Sequence, residues 1–265
     1  SRLPSILPLL TEQQALESAA ITSISDTTFD AANWLKPPYR APHHTASAPA
    51  LVGGGSNPKP GEISLAHNGL LFLDELPEFD RKVLEVLREP LETGHITISR
   101  ATRQVDFPAR FQLMAAMNPC PCGYLGDTSG RCHCTSEQVA RYRGKISGPL
   151  LDRIDMHLDV PRVSHEVLRK GSPEGQESSA NIRLRVIQAR AIAMARSGKA
   201  NSALSAVEVK QFCPLSEQGH QLLEQAMNHF GLSHRAYHRI LKLARTIADL
   251  AGSDAIEISH LSEAI

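Results

Sequence analysis

The chain has 265 residues, enough for one large or two ordinary domains, and its 42% hydrophobic and 21% charged residues suit a soluble globular protein. Lys plus Arg equals Asp plus Glu, 28 against 28, so net charge gives no evidence for nucleic-acid binding and any basic surface must be local. With no apolar run of about 18 residues and no charged-apolar-small leader, neither a membrane span nor a signal peptide is expected.

Thr11-Glu12-Gln13-Gln14 is a capping-box pattern and predicts a helix over 11–23. Residues 36–64 hold six prolines and four glycines and read as a long loop or insertion, too irregular for a core element. Residues 69–74 read as a buried strand, and helical spacing of Val83, Leu84, Val86, Leu87 and Leu91 predicts a helix over 79–92. A β-hairpin follows over 95–108, with Arg100 and Arg103 in its turn. Apolar strands are expected at Phe111 to Met117 and at Met156 to Val160. Residues 171–180 have linker composition, and helices are predicted over 180–197, 205–213, 216–230, 233–251 and 259–265. An α/β unit over 1–161, a linker over 162–180 and an all-α unit over 181–265 result.

Leu70-Leu71-Phe72-Leu73-Asp74-Glu75 puts two carboxylates at the end of an apolar strand. Such a strand suits the centre of a parallel sheet, where ligands lie at the carboxyl ends. The pair can divide the labour of ATP hydrolysis, one carboxylate holding Mg²⁺ through water and the other orienting and deprotonating the attacking water. A strand followed by an acidic helix start fits the same residues. Asn118, after the next strand, can hold the lytic water or the γ-phosphate. Arg153 stands just before the expected strand at 156–160, and Ser233-His234-Arg235 opens a long helix. On that helix Ile240, Leu241, Leu243, Ala244 and Ile247 can pack inward, opposite Arg235, Arg239 and Lys242.

Four stretches carry a family resemblance: Arg40-Ala41-Pro42-His43-His44; Pro60 to Gly69 ahead of the carboxylate strand; Asn118-Pro119-Cys120-Pro121-Cys122-Gly123; and Ala244 to Leu250. On them the chain resembles the magnesium-chelatase-like AAA+ ATPases, and within these the bacterial competence ComM (YifB-like) group. The resemblance implies a truncated AAA+ P-loop NTPase core, a parallel sheet with helices on both faces, followed by an all-α lid. It makes Asp74 and Glu75 the Walker B pair, with Asp74 on Mg²⁺ and Glu75 the catalytic base. It makes Asn118 sensor 1, Arg153 an arginine finger acting on a neighbouring subunit, and Arg235 sensor 2 on the γ-phosphate, with Arg239 as the fallback. Arginine suits such roles because its planar, permanently charged fork matches phosphoryl oxygens. A structural salt bridge is the plainer role for Arg153, as lid salt bridges are for Arg239 and Arg245.

The phosphate loop G-x-x-x-x-G-K-[ST] does not occur in these residues. Residues 1–8 resemble the family segment just behind that loop, so the chain is expected to be a fragment that lacks it, along with the family's amino-terminal domain. Weak ATP binding and no turnover are expected of the fragment.

Cys120, Cys122, Cys132 and Cys134 put four thiols within fifteen residues, with His133 as a spare ligand. Tetrahedral Zn²⁺ wants four such ligands, although Cys-x₂₋₄-Cys is the commoner spacing. Free cysteines in a surface loop or an oxidation-prone pair remain open. An odd count with Cys-x-Cys spacing points to a reducing compartment and a cytoplasmic address. Cys213 is expected to be simply buried. In helicase-like relatives a hairpin before sensor 1 projects into the ring channel, where Arg100 and Arg103 can grip DNA phosphates; an ordinary solvated hairpin fits the same residues. By the same resemblance His43, His44 and Lys59 stand in an insertion that lines the channel or, equally, is a disordered loop in an isolated subunit. Arg183, Arg185, Arg190 and Arg196 are expected on a solvated or subunit-facing surface.

The resemblance therefore implies part of an ATP-driven homo-oligomeric ring, a hexamer, acting on single-stranded or branched DNA in transformation and recombination. The alternatives are a chelatase-type remodelling ATPase without DNA, and a non-catalytic zinc-stabilised binding module.

Overall fold

Residues 2–25, 30–100, 103–127, 130–160 and 177–265 are described by the computed structural model. They fall into two compact units: 9–154 with 158–160, and 177–265 with 2–8 and 155–157.

The first unit begins with the helix Glu12–Ser23 (α1), the strand Tyr39–Arg40 (β1), the helix Ala48–Val52 (α2) and a small hairpin, Gly53–Gly54 (β2) with Lys59–Pro60 (β3). The turn of helix Glu62–Leu65 (α3) leads into the strand Leu70–Leu73 (β4), followed by the helices Arg81–Glu85 (α4) and Arg88–Thr93 (α5). The hairpin His95–Arg100 (β5) and Arg103–Pro108 (β6), the strand Gln112–Ala115 (β7) and the helices Ser136–Arg143 (α6) and Gly148–Leu151 (α7) complete it.

β4 is the middle of a parallel sheet ordered β1-β4-β7. Leu70, Leu71 and Leu73 are at most 1% exposed, as a strand covered on both faces requires. The core around it is built from Leu51, Ile63, Leu84, Leu87, Ile96, Phe107 and Leu150. The start of β4 is fixed from three sides. A Cβ on Gly69 would fall 2.0 Å from the Pro38 carbonyl oxygen, so only glycine fits there. The buried His67 accepts the Arg110 N–H at Nδ1, which leaves Nε2 to face the Glu17 carboxylate at 3.4 Å. Burial pushes its pKa down, so the neutral ring is the resting form. Arg40 forks onto both oxygens of Glu62 at 2.6 Å, and that hydrogen-bonded carboxylate raises the guanidinium pKa.

Three expectations are corrected. Residues 36–64 are irregular yet belong to the core: they contain β1 and the fully buried Leu51 and Ile63. Residues 79–92 do not make one helix, because Pro90 has no N–H to give to the Val86 carbonyl, and the helix divides into α4 and α5. Met156 to Val160 is not a strand: it pairs with none of the described strands, and Leu158 and Val160 are 76% and 88% exposed. An apolar run becomes a strand only where a sheet edge receives it. The hairpin lies where the sequence placed it, with Arg100 opposite Arg103, whose side chains lie outside the described residues.

In the second unit the helices are Ser179–Ser197 (α8), Ala206–Phe212 (α9), Glu217–Phe230 (α10), His234–Ala251 (α11) and Ile258–Ala264 (α12). Their ends are written locally. Ser178, Ser205, Ser216 and Ser233 each accept an N–H of the first turn, and Gly198, Gly231 and Gly252 close helices in the left-handed conformation. The expected inward residues Ile240, Leu241 and Ala244 are buried with Leu223 and Leu261. Cys213 is buried too, and that burial pushes its thiol to about 11. Arg196 departs from its expected place: it binds the buried Asp249 rather than lying on a solvated surface. No helix among the described residues is long and apolar enough to cross a membrane.

Candidate nucleotide site and thiol cluster

The carboxyl edge of the parallel sheet gathers three residues that the sequence marks for ATP chemistry. Leu73 pairs with Ala115 in register, so Asp74 and Glu75 leave β4 beside the chain that runs from β7 to Asn118. The two ends are tied together, since Ala116 N–H donates to the Leu73 carbonyl and Leu76 N–H to the Ala116 carbonyl, both at 2.9 Å. Asp74 and Glu75 are exposed there, as ligands of an incoming group must be.

Glu75 sits in the left-handed region, φ 52° and ψ 47°, which an L residue other than glycine adopts at a cost. The turn is held by Asp74 Oδ1, which accepts the Glu75 N–H at 2.9 Å, and by the Glu78 N–H on the Glu75 carbonyl at 2.7 Å. The Glu75 carboxylate reaches His44 Nδ1 at 3.0 Å. The His43 ring lies tilted by 35° against His44 with ring centroids 4.1 Å apart, and Phe79 meets His44 edge-on. The contact between His44 and Glu75 was not legible in the sequence; only the pairing of β1 with β4 brings the segment after β1 to the carboxylates.

Tyr142, on α6, reaches the same edge. Burial raises its pKa, the charges of Glu78 and Glu75 add to this, and the Asn118 N–H that its hydroxyl oxygen accepts works against it. Arg143 donates through Nε and Nη2 to the Pro119 carbonyl, at 3.3 and 3.2 Å. Asn118 itself is exposed.

Arg153 follows α7 with its side chain 13% exposed, paired with Glu92 and donating to the Pro149 carbonyl at 2.6 Å. Arg235 belongs to the second unit, exposed on the first turn of α11. On the same helix Arg239 Nε lies 3.7 Å from Asp155, and Arg245 is buried against Asp249.

The four cysteines converge. Their sulfurs all lie within 4.8 Å of one another, with Cys120 to Cys122 at 3.4 Å, Cys122 to Cys132 at 3.7 Å and Cys120 to Cys132 at 3.9 Å. His133 is exposed and outside the group. Burial resists ionisation of Cys120, but hydrogen bonds from Cys122, from the N–H groups of Leu125 and Tyr124 and from Cys132 overcome it and bring the thiol to about 6. The Cys122 N–H favours the Cys134 thiolate, yet the neighbouring sulfurs and burial push that thiol to about 11. A second thiolate beside the first is thus costly unless a cation shares the site. A cluster of this donor set can hold a metal.

A parallel sheet flanked by helices and followed by a helical region is the architecture of an AAA+ core with an all-α lid. Residues 1–168 match the family model described as "Magnesium chelatase, subunit ChlI", and residues 176–265 match "Magnesium chelatase, subunit ChlI C-terminal". The chain belongs to this magnesium-chelatase family, and to its ComM/YifB-like members. It is 51% identical over its whole length to "Competence protein ComM" of Haemophilus influenzae and 49% to "Uncharacterized protein YifB" of Escherichia coli, covering 52% of each. A magnesium-chelatase subunit ChlI of Porphyra purpurea is 28% identical over 45% of the chain and 28% of that protein. The chain spans about half the length of the ComM and YifB proteins it matches.

Proposed function

We propose that the intact protein is an ATP-driven ring motor that acts on DNA. The observation that carries this is the meeting of Asp74, Glu75 and Asn118 at the carboxyl edge of two adjacent parallel strands. Asp74 and Glu75 supply hard oxygen donors, which fit Mg²⁺, and bound Mg²⁺ offsets phosphate charge. Asp74 would hold the metal. Glu75 takes the proton of the attacking water, and Asn118 orients that water against the γ-phosphate. Arg235 binds the γ-phosphate from the lid. Arg153 leaves Glu92 to act on the nucleotide of the next subunit, which calls for a closed head-to-tail ring, a hexamer. Arg100 and Arg103 at the hairpin tip contact DNA phosphates without reading sequence. Structural Zn²⁺ at Cys120, Cys122, Cys132 and Cys134, a cytoplasmic address, and domain limits of 1–161 and 181–265 about a linker belong to the same reading.

Full-length ATPase assays with branched DNA test it. DNA stimulates the wild type, while Glu75→Gln and Arg153→Ala are each inactive and regain part of the activity when mixed, because a shared site needs one of each residue. No DNA stimulation and no salt-sensitive shift of branched DNA support the second reading, a chelatase-type remodelling ATPase, which the ChlI similarity favours. Metal-dependent folding, with no ATPase activity above background for Glu75→Gln to change, leaves only a non-catalytic zinc-stabilised module.

The 265 residues alone lack the G-x-x-x-x-G-K-[ST] loop, whose backbone N–H groups and lysine cradle the β- and γ-phosphates. Titration calorimetry of this chain with Mg-ATP is expected to give weak binding and no turnover; tight stoichiometric binding overturns that.

A further inference from the structure

We propose that the four-thiol site is a metal-held strut that fixes Asn118, so that zinc occupancy and the geometry of the nucleotide site are coupled. The inference rests on reading the thiols as zinc ligands.

The sulfur geometry comes first. Zn–S bonds of about 2.3 Å put the sulfurs of a tetrahedral site about 3.8 Å apart. The recorded separations of 3.4, 3.7 and 3.9 Å bracket that value. They are far from the separation of about 2.05 Å that a disulfide requires. Backbone N–H groups already point at the sulfurs: Leu125 and Tyr124 at Cys120, Cys134 at Cys132, and Cys122 at Cys134. Donors of this kind stabilise metal-bound thiolates.

The loop has little apolar burial to hold it; besides the thiols it has polar contacts such as Arg131 with Asp127 at 3.6 Å and over the Tyr124 ring. Cys120 is the one buried residue among the described residues of 117–135, and no regular structure interrupts them. Ordering such a loop costs conformational entropy that apolar burial does not offset here. A metal shared by both ends of the loop ties them to each other.

Asn118 lies against this loop. It stands two residues before Cys120, and its Oδ1 is 3.6 Å from where a Cβ on Gly123 would sit. Gly123 is left-handed, φ 76°, and its N–H closes a turn onto the Cys120 carbonyl at 3.0 Å. The side that faces the sheet is fixed by β7, and the far side by the cysteine turn. Tyr142 and Arg143 bind the backbone between them. Asn118 is a positioning target of the metal site, and the cysteines act through it.

Elemental analysis and hydrogen exchange of this chain, with a kinetic split in the full-length protein, test the proposal. The purified chain is expected to carry about one zinc. Stripping the zinc with a chelator speeds exchange of the Asn118 N–H by about tenfold or more, leaves the amides of the helical unit unchanged, and is reversed by added zinc. In the full-length protein Cys132→Ser lowers kcat for ATP by about tenfold with KM little changed. Absence of zinc overturns both the ligand reading and the strut. Bound zinc whose removal leaves Asn118 exchange unchanged overturns the strut alone. If Cys132→Ser does not fold, the strip-and-restore exchange experiment still decides.

Discussion

Replacing Asp249 with alanine is expected to destabilise the helical unit by about 3–5 kcal/mol, the usual cost of removing one partner from a buried ion network. Asp249 is 3% exposed, and Arg245, one helical turn before it, is 1% exposed. The carboxylate receives Arg245 Nε at 3.1 Å, Arg196 Nη1 at 3.1 Å with a second contact from Arg196 Nη2, and the Asn201 amide at 2.7 Å. Arg245 also donates to the Asp254 carbonyl at 2.8 Å, so it cannot swing out to water without breaking the turn after α11. Removing Asp249 therefore leaves two guanidinium groups facing each other, one of them buried. Asp249→Asn keeps the shape and one acceptor but loses the charge, and belongs between wild type and alanine. Urea unfolding of the purified chain, followed by circular dichroism, measures both. A loss under about 1 kcal/mol for alanine is the range of an exposed pair and would contradict the network's role.

That network also marks the limit of what the sequence tells. Helix limits in the second unit were legible because serine N-caps and glycine C-caps are local signals. The sequence predicts lid salt bridges for Arg245, but it puts Arg196 on the surface. Its partner lies 53 positions away, and no local pattern joins them. The first unit shows the same division. Leu70 to Leu73 announced a central strand by composition alone. Tyr39–Arg40 did not, because a two-residue strand exists only through its pairing with Leu70 and Leu71. Met156 to Val160 has a strand's composition and no sheet edge. At the candidate site the residue types Asp74, Glu75 and Asn118 were legible, and so was the cysteine set. The left-handed turn at Glu75 was not, since glutamate carries no signal for it. Nor was the approach of His44, which depends on where β1 docks.

Glu75 gives the other large effect, and its two substitutions should move activity and stability in different directions. In the full-length protein Glu75→Gln is expected to lower ATP hydrolysis by at least about a hundredfold, the scale of a lost general base. The amide keeps the size of the side chain but cannot take the proton of the attacking water. It inherits the same left-handed backbone, so stability should stay within about 0.5 kcal/mol of wild type. Glu75→Gly removes the carboxylate as well and should lose hydrolysis to the same degree. Yet glycine occupies φ 52° without strain, so this variant should be more stable by about 1 kcal/mol. A gain in stability together with a loss of rate cannot come from general unfolding. It requires that the strain at Glu75 be maintained for the placement of its carboxylate, between the Asp74 turn and His44. Stability is read by urea unfolding and rate by phosphate release on the same preparations. If Glu75→Gly is destabilised as an ordinary surface glycine would be, the turn stores no strain. If Glu75→Gln retains wild-type turnover, the base lies elsewhere on the sheet edge.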